Sequence, residues 1–345
     1  MKKLRIILSF LLAMTASLPG ANVFAAGVSS SQTMQAIQIQ QFGGPEVLTI
    51  HQLPIPSPGR GEILVRVHAA GINPVDTGVR SGHFAALAAA APPYVPGFDV
   101  SGTVSAVGEG ISNFKVGDQV FTMLDLRRGG GYAEFAIVKE GEAALKPGNI
   151  SFSEAASVPL VTLTAWQVLF EAGNLQPGQT VLIHAGAGGV GSVAIQLAKW
   201  RGAKVIATAS EHNHAFLREL GVDVPVDYRT QQFEDFASGI DLVLDTIGGD
   251  TQIRSMTTLK EGGRLVSIVG LTPEGRNPTR NIEVSSLLVR PDADHLRSIG
   301  KLIEDGVLNP IVSYRFPFSE APAAHKQSET RRTRGKIVLE MDISN

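Results

Sequence analysis

The sequence predicts an α/β protein: a doubly wound parallel sheet together with a smaller, discontinuous β domain. Three observations carry the prediction. Residues 180–199 (TVLIHAGAGGVGSVAIQLAK) pass from an apolar, β-branched run through a glycine turn into a helix with one apolar face. From there to Val269, strand-like and helix-like segments alternate, the pattern of parallel strands joined by crossover helices. Ahead of this, residues 34–138 hold many short strands parted by Gly and Pro turns, and the tail is β-like again, so a small barrel or sandwich is expected.

The chain starts with Lys2, Lys3 and Arg5, an apolar run over 6–16, and Val23-Phe24-Ala25 with small residues at −3 and −1 of a cleavage site. This is the grammar of a secretory signal peptide over residues 1–25. The run is too short for a comfortable span, so no stable membrane anchor is expected once it is cleaved. The mature protein is then expected outside the cytoplasm, in a periplasm-like compartment. The alternative is an upstream extension, with the true start at Met34 and a cytoplasmic protein.

Strands are expected over 34–40, 47–53, 62–69, 100–107, 119–123 and 132–138. Residues 71–76 read as a turn, because Asn and Asp tolerate turn geometry and Pro ends a strand. The Ala-rich stretch 84–93 reads as a loose helical turn or a mobile loop. Ser151 and Ser153 before Glu154 mark a helix start, and 164–171 has helical spacing. Next come strand 181–185, helix 190–201, strand 204–208, helix 213–220 and a strand near 224–226. A short helix at 231–236, strand 240–245, helix 251–259 and strand 263–269 complete the alternation. An amphipathic helix is expected over 294–304, with strands over 310–316 and 335–341. The tail most simply rejoins the first domain. The chain then divides into 1–25, 34–154, 155–297 and 298–345, the second and fourth pieces forming one domain.

At 345 residues, 43% hydrophobic and 18% charged, the chain can fill two domains. A net charge of −2 argues against a nucleic-acid partner. The lack of cysteine excludes disulfides, thiolate catalysis and Cys-ligated zinc.

Gly186-Ala187-Gly188-Gly189-Val190-Gly191 fits G-x-G-x-x-G, with a strand before it and a helix after it. In that context the glycines let a pyrophosphate approach backbone N–H groups at a helix N-terminus, the turn of a dinucleotide-binding βαβ unit. An NAD-selecting acid would stand at the end of the second strand, yet Ala209 fills that slot and Ser210 follows. A small residue and a hydroxyl suit a 2′-phosphate, so NADP(H) is expected over NAD(H). His212, Asn213 and His214 are within reach of the same phosphate or are ordinary polar residues of a helix start.

The sequence resembles the zinc-independent medium-chain dehydrogenase/reductase family, in its quinone oxidoreductase or zeta-crystallin-like branch. The matching segments run from Met34 onward: MQAIQIQQFGGPEVL, AAGINPVDTGVRSG, PGFDVSGTVSAVG, VGDQVF, GGYAEFAIV, LTAWQVLF, HAGAGGVG, VDYR, LDTIGG, GGRLVSI and RGKIVLE. The resemblance implies a GroES-like β-barrel catalytic domain beside a Rossmann domain, with the active site in the cleft between them and a homodimeric assembly. Zinc-containing relatives carry Gly-His-Glu where this chain has Gly97-Phe98-Asp99, so no metal is expected. Hydride transfer without a Lewis acid favours activated acceptors, namely quinones or α,β-unsaturated carbonyls.

Residue by residue, the resemblance gives Gly186–Gly191 to the pyrophosphate, Ser210 and Tyr228 to the adenosine 2′-phosphate, and Arg331 or Arg334 as a cation beside it. Thr164 matches a position near the nicotinamide, or else caps a helix start. Asn73 matches the asparagine facing nicotinamide and substrate carbonyl, or else merely shapes a turn before Pro74. Asp76 is expected to fix that loop and Asp99 to brace the cleft floor. Many relatives place a tyrosine where Gly78 stands, which implies a more open pocket, with 84–93 as a candidate lid. The expected activity is an NADPH-dependent reduction of quinones or enones. The alternative is a redox-inactive NADPH-binding protein of the same fold.

Overall fold

Apolar, β-branched runs that lack polar alternation build the centre of the first sheet. In the computed structural model, which describes residues 32–341, six strands lie parallel. Their order is Val224–Asp227, Lys204–Ala209, Thr180–Ile183, Ile240–Asp245, Leu259–Ser267 and Glu283–Ser286. Sequence order runs one way from Thr180–Ile183 and the other way from its neighbour Ile240–Asp245. The carboxyl ends of these two strands therefore mark a switch point, where open α/β sheets bind ligands. Val181, Leu182 and Ile183 are fully buried, as a strand covered on both faces requires. The helix Gly189–Trp200 packs Val193, Ala194 and Leu197 inward, while Val190 is half-buried at the turn. The signal-peptide reading of residues 1–25 lies outside the described residues.

A second sheet has seven strands. Its path runs Val312–Pro317, Lys336–Glu340, Glu62–Ile72, Asp99–Val107, Gln119–Met123 and Ala143–Leu145, with Phe135–Lys139 also pairing to Glu62–Ile72. All pairs are antiparallel except Val312–Pro317 with Lys336–Glu340. A ribbon of Thr33–Gln38 and Thr49–Pro54 lies beside it. The C-terminal strand thus pairs with a strand formed early in the chain, Leu339 opposite Ala70. One buried cluster runs from Phe121 and Met123 through Leu160 and Leu163 to Val181 and Leu244. The helix Pro159–Trp166 is therefore a wall shared by both sheets.

Four expectations change. Residues 71–76 are not a turn: Ile72 still belongs to the strand and Pro74–Arg80 is a helix. Pro74 occupies the first helical position, where its missing N–H costs nothing and its fixed φ helps. The tail also contains the helix Ala321–Glu329, and Glu283–Ser286 adds an edge strand. The expected divisions after 154 and 297 pass through the helices Phe152–Ala156 and Ala293–Glu304.

Candidate active site

The glycine turn leaves the sheet at the switch point. Ala185 takes φ of 50°, and the Gly186 N–H donates to the Thr208 carbonyl at 2.8 Å. Gly191 admits no side chain, since a Cβ there would lie 2.4 Å from the Ala185 carbonyl oxygen. That closeness lets the helix start tightly against the strand. The first intrahelical bond nearby is Ser192 N–H to the Gly188 carbonyl, at 2.9 Å. The N–H groups of Gly189, Val190 and Gly191 come before it and are the donors a helix start offers an anion. Gly186, Ala187, Gly188, Gly189, Val190 and Gly191 form one continuous turn, and this cradle fits a pyrophosphate.

A second group assembles at the end of Lys204–Ala209. Ser210 is buried, and its hydroxyl lies 3.0 Å from His212 Nδ1 and 3.3 Å from Asn213 Nδ2. Arg334 donates from Nε and Nη2 to Asn213 Oδ1 at 3.1 and 2.9 Å, with its guanidinium over the Phe216 ring. Tyr228 is 58% exposed, and its N–H reaches the Ala209 carbonyl at 3.3 Å. Ser210, Asn213, Arg334 and Tyr228 therefore surround one strand end, with a hydroxyl, an amide and a guanidinium suited to a phosphate. Arg331 is exposed, at φ of 55° in the turn after the helix, and is not joined to this group.

The third group is buried where the second sheet meets the turn. Asn73 precedes Pro74–Arg80 and is fully enclosed. Its Nδ2 donates to Asp99 Oδ2 at 2.9 Å, and its Oδ1 accepts from Lys336 Nζ. Lys336 also donates to the Ile72 carbonyl at 2.8 Å and lies 3.4 Å from Asp99 Oδ2. Asp99 Oδ1 accepts the Leu160 N–H at 2.7 Å. Burial pushes the Asp99 pKa up and that of Lys336 down, and each opposes the other's shift. The hydrogen bonds decide the charge states. Asp99 meets only donors and Lys336 meets three acceptors, so carboxylate and ammonium are the forms the geometry satisfies.

Asp76 fixes this loop, as expected, through Oδ2 accepting the Asn73 N–H at 2.7 Å. Burial raises its pKa to about 7 against the pull of that N–H and of Lys336. Behind it the buried Tyr132 hydroxyl lies 3.2 Å from His325 Nε2, and burial lowers the His325 pKa to about 3, leaving a neutral ring.

Sequence reasoning missed Lys336, read only as part of a strand. The usable signal was a lysine immediately before the apolar run Ile337–Leu339, since lysine is rarely buried unpaired. Its neighbour Gly335 donates its N–H to the Ala187 carbonyl at 2.9 Å, and Lys336 Cδ would meet a Cβ on Gly189 at 3.2 Å. Thr164 is not a helix-start cap. It lies inside Pro159–Trp166, and its hydroxyl donates to the Leu160 carbonyl at 2.6 Å. Val161 and Thr162 of that helix and Val158 just before it, not Thr164, line the small cavity beside Gly189 and Lys336. Nor does Gly78 open the pocket. A Cβ on Gly78 would lie 2.1 Å from Phe84 Cδ2, so the Phe84 ring fills that space. Among the described residues one trio of potential metal ligands gathers, Glu171, Asp292 and His295, and Arg290 already pairs with both carboxylates.

Two family models match the chain: the alcohol dehydrogenase GroES-like domain over residues 59–148 and the zinc-binding dehydrogenase over 220–339. The chain is 35% identical over 326 residues to the chloroplastic NADPH-dependent alkenal/one oxidoreductase of Arabidopsis thaliana, covering 91% of this chain and 81% of that one. Among solved structures, the quinone oxidoreductase of Coxiella burnetii is 37% identical with a TM-score of 0.84, over 90% of this chain and 99% of that one. The Escherichia coli quinone oxidoreductase complexed with NADPH is 29% identical with a TM-score of 0.80, over 90% and 100%.

Proposed function

The chain belongs to the medium-chain dehydrogenase/reductase family, in its quinone oxidoreductase branch, and on that footing we propose that it is an NADPH-dependent, zinc-independent reductase of quinones and α,β-unsaturated carbonyls. One observation carries the reading most directly. Gly335-Lys336 touches the glycine turn on one side and Asn73 with Asp99 on the other, so cofactor cradle and polar cluster form one site. When bound, NADPH supplies the hydride. The turn holds its pyrophosphate, and Ser210, Asn213, Tyr228 and Arg334 hold the 2′-phosphate. One N–H of the Asn73 carboxamide goes to Asp99; the other, enclosed in this structure, is the donor that the proposal directs at the acceptor oxygen, where negative charge grows. Conjugation in a quinone or enone spreads that charge, so one neutral donor suffices.

Two features support zinc independence. The chain has no cysteine, and the carboxylate of Asp99 already has an ammonium, Lys336, against it. A homodimer and an exported mature protein starting after residue 25 belong to the same reading. Light scattering of the purified protein tests the first, and N-terminal sequencing of the native protein tests the second.

The activity test follows NADPH absorbance with 1,4-benzoquinone and with a small enone. Turnover is expected with NADPH and weakly with NADH; tight NADPH binding with no turnover on either acceptor would instead leave a redox-inactive binding protein. Ser210→Asp puts a carboxylate where the 2′-phosphate is to sit. It should raise the KM for NADPH on the order of tenfold or more and spare NADH. An unchanged NADPH preference refutes the phosphate assignment.

A further inference from the structure

We infer that Lys336 is a positioning residue for the reaction, acting through Asn73 by selecting one of the two orientations of its carboxamide. The inference rests on the proposed role of Asn73. A carboxamide is nearly symmetric in shape, and turning it over exchanges its acceptor for its donor. Lys336 has three N–H donors and no acceptor, so only Oδ1 of Asn73 can face it. Asp99, as a carboxylate, has only acceptors, so only Nδ2 can face it. An ammonium on one side and a carboxylate on the other thus hold the amide donors in a fixed direction. Either charge alone would leave the turned-over form less heavily penalised.

Lys336 is itself held in place. Its three N–H groups go to the Ile72 carbonyl, Asn73 Oδ1 and Asp99 Oδ2, which leaves none for a substrate. It therefore does not donate the proton that completes an enone reduction. Its backbone N–H reaches the Ile311 carbonyl at 2.9 Å, and Gly335 before it is bonded to Ala187 of the glycine turn. The ammonium is consequently registered to the cofactor turn as well as to Asn73. Placing the turn and orienting the amide are two effects of one short segment.

The test compares Lys336→Met, Asn73→Ala and the double variant. Lys336→Met should lower kcat by on the order of tenfold or more, with the KM for NADPH within about threefold of the parent. Acting through one group, the two changes should not multiply: the double variant should lie within about twofold of Asn73→Ala alone. A near-parental kcat for Lys336→Met, or fully multiplicative losses, overturns the inference. If Lys336→Met does not fold because Asp99 loses its counterion, Asp99→Asn/Lys336→Met removes both charges. It should bind NADPH and show the same low kcat, and a near-parental kcat again overturns the inference. A neutron or atomic-resolution crystal structure of whichever variant folds, in which amide nitrogen and oxygen are told apart, supplies a readout independent of turnover. The Asn73 carboxamide should be turned or split between two orientations, and an unmoved carboxamide refutes its control by Lys336. If the parent protein turns over no acceptor, the proposed function fails and this structural readout still decides the inference.

Discussion

Asp76 shows how much one enclosed side chain costs and what it sets. Its carboxyl holds the N–H of Asn73, yet no cation touches it, and burial pushes its pKa up to about 7. Between roughly pH 4 and 7 the native state keeps a proton that the unfolded chain releases. Stability contributed by this group is therefore full below the unfolded pKa and falls as pH rises through 7. Asp76→Asn keeps the acceptor and removes the titration. Between pH 5 and 8 it should gain about 2–3 kcal/mol on the parent in urea unfolding. Parallel stability profiles would mean that Asp76 is ionised throughout. At this scale the glycine turn was readable, because its chemistry is local: six successive residues show the pattern. Lys336 was not, because Asn73 and Asp99 lie 263 and 237 residues away in the chain. No window of sequence brings them together.

Among elements, Pro74–Arg80 is instructive. Pro74 ended the preceding strand as expected, but the same residue opened a helix, and seven residues are too few to show a period. Glu283–Ser286 escaped notice for a related reason: as an edge strand of mostly polar residues it shows no apolar alternation. The Phe84 loop turned an absence into a contact. Gly78 carries no ring of its own, and Phe84 fills the space from the next segment, its N–H donating to the Gly78 carbonyl at 2.9 Å. Gly78→Ala would by helix propensity alone favour the fold by about 1 kcal/mol. Displacing the ring should reverse that sign, giving a net loss of about 1–3 kcal/mol by thermal or urea unfolding. Gly78→Ala/Phe84→Ala should recover part of it. A stabilised single variant would show that the ring does not hold that space.

Across the whole molecule, the two sheets and their approximate spans were legible from periodicity, and the return of the tail to the first β segment from its composition. What periodicity does not show is which end of the returning strand lies against the cofactor turn. Gly335 does, at φ of 60°, with the site of a Cβ 2.4 Å from the Ile311 carbonyl oxygen. Gly335→Ala should therefore cost stability and, by shifting the bond to Ala187, weaken NADPH binding several-fold in a fluorescence titration. Gly239→Ala is the control: φ is 65° there too, with no atom within 4 Å and an exposed loop around it. It should lose stability with affinity intact; equal affinities for both variants would unlink Gly335 from the turn.

The late position of Lys336–Glu340 has a consequence for how the protein is made. A ribosome delivers the chain from its amino end, at about 5–20 residues each second. All six strands of the parallel sheet, and the glycine turn with them, are synthesised before Lys336 exists. Asn73 and Asp99 wait through nearly the whole of synthesis for the ammonium that lies between them in the finished fold. A message truncated just short of this strand would yield a chain with a complete cofactor turn but only Asp99, without the ammonium, to orient Asn73. The pair of charges that orients Asn73 is thus completed only after the cofactor turn and all six parallel strands have been made.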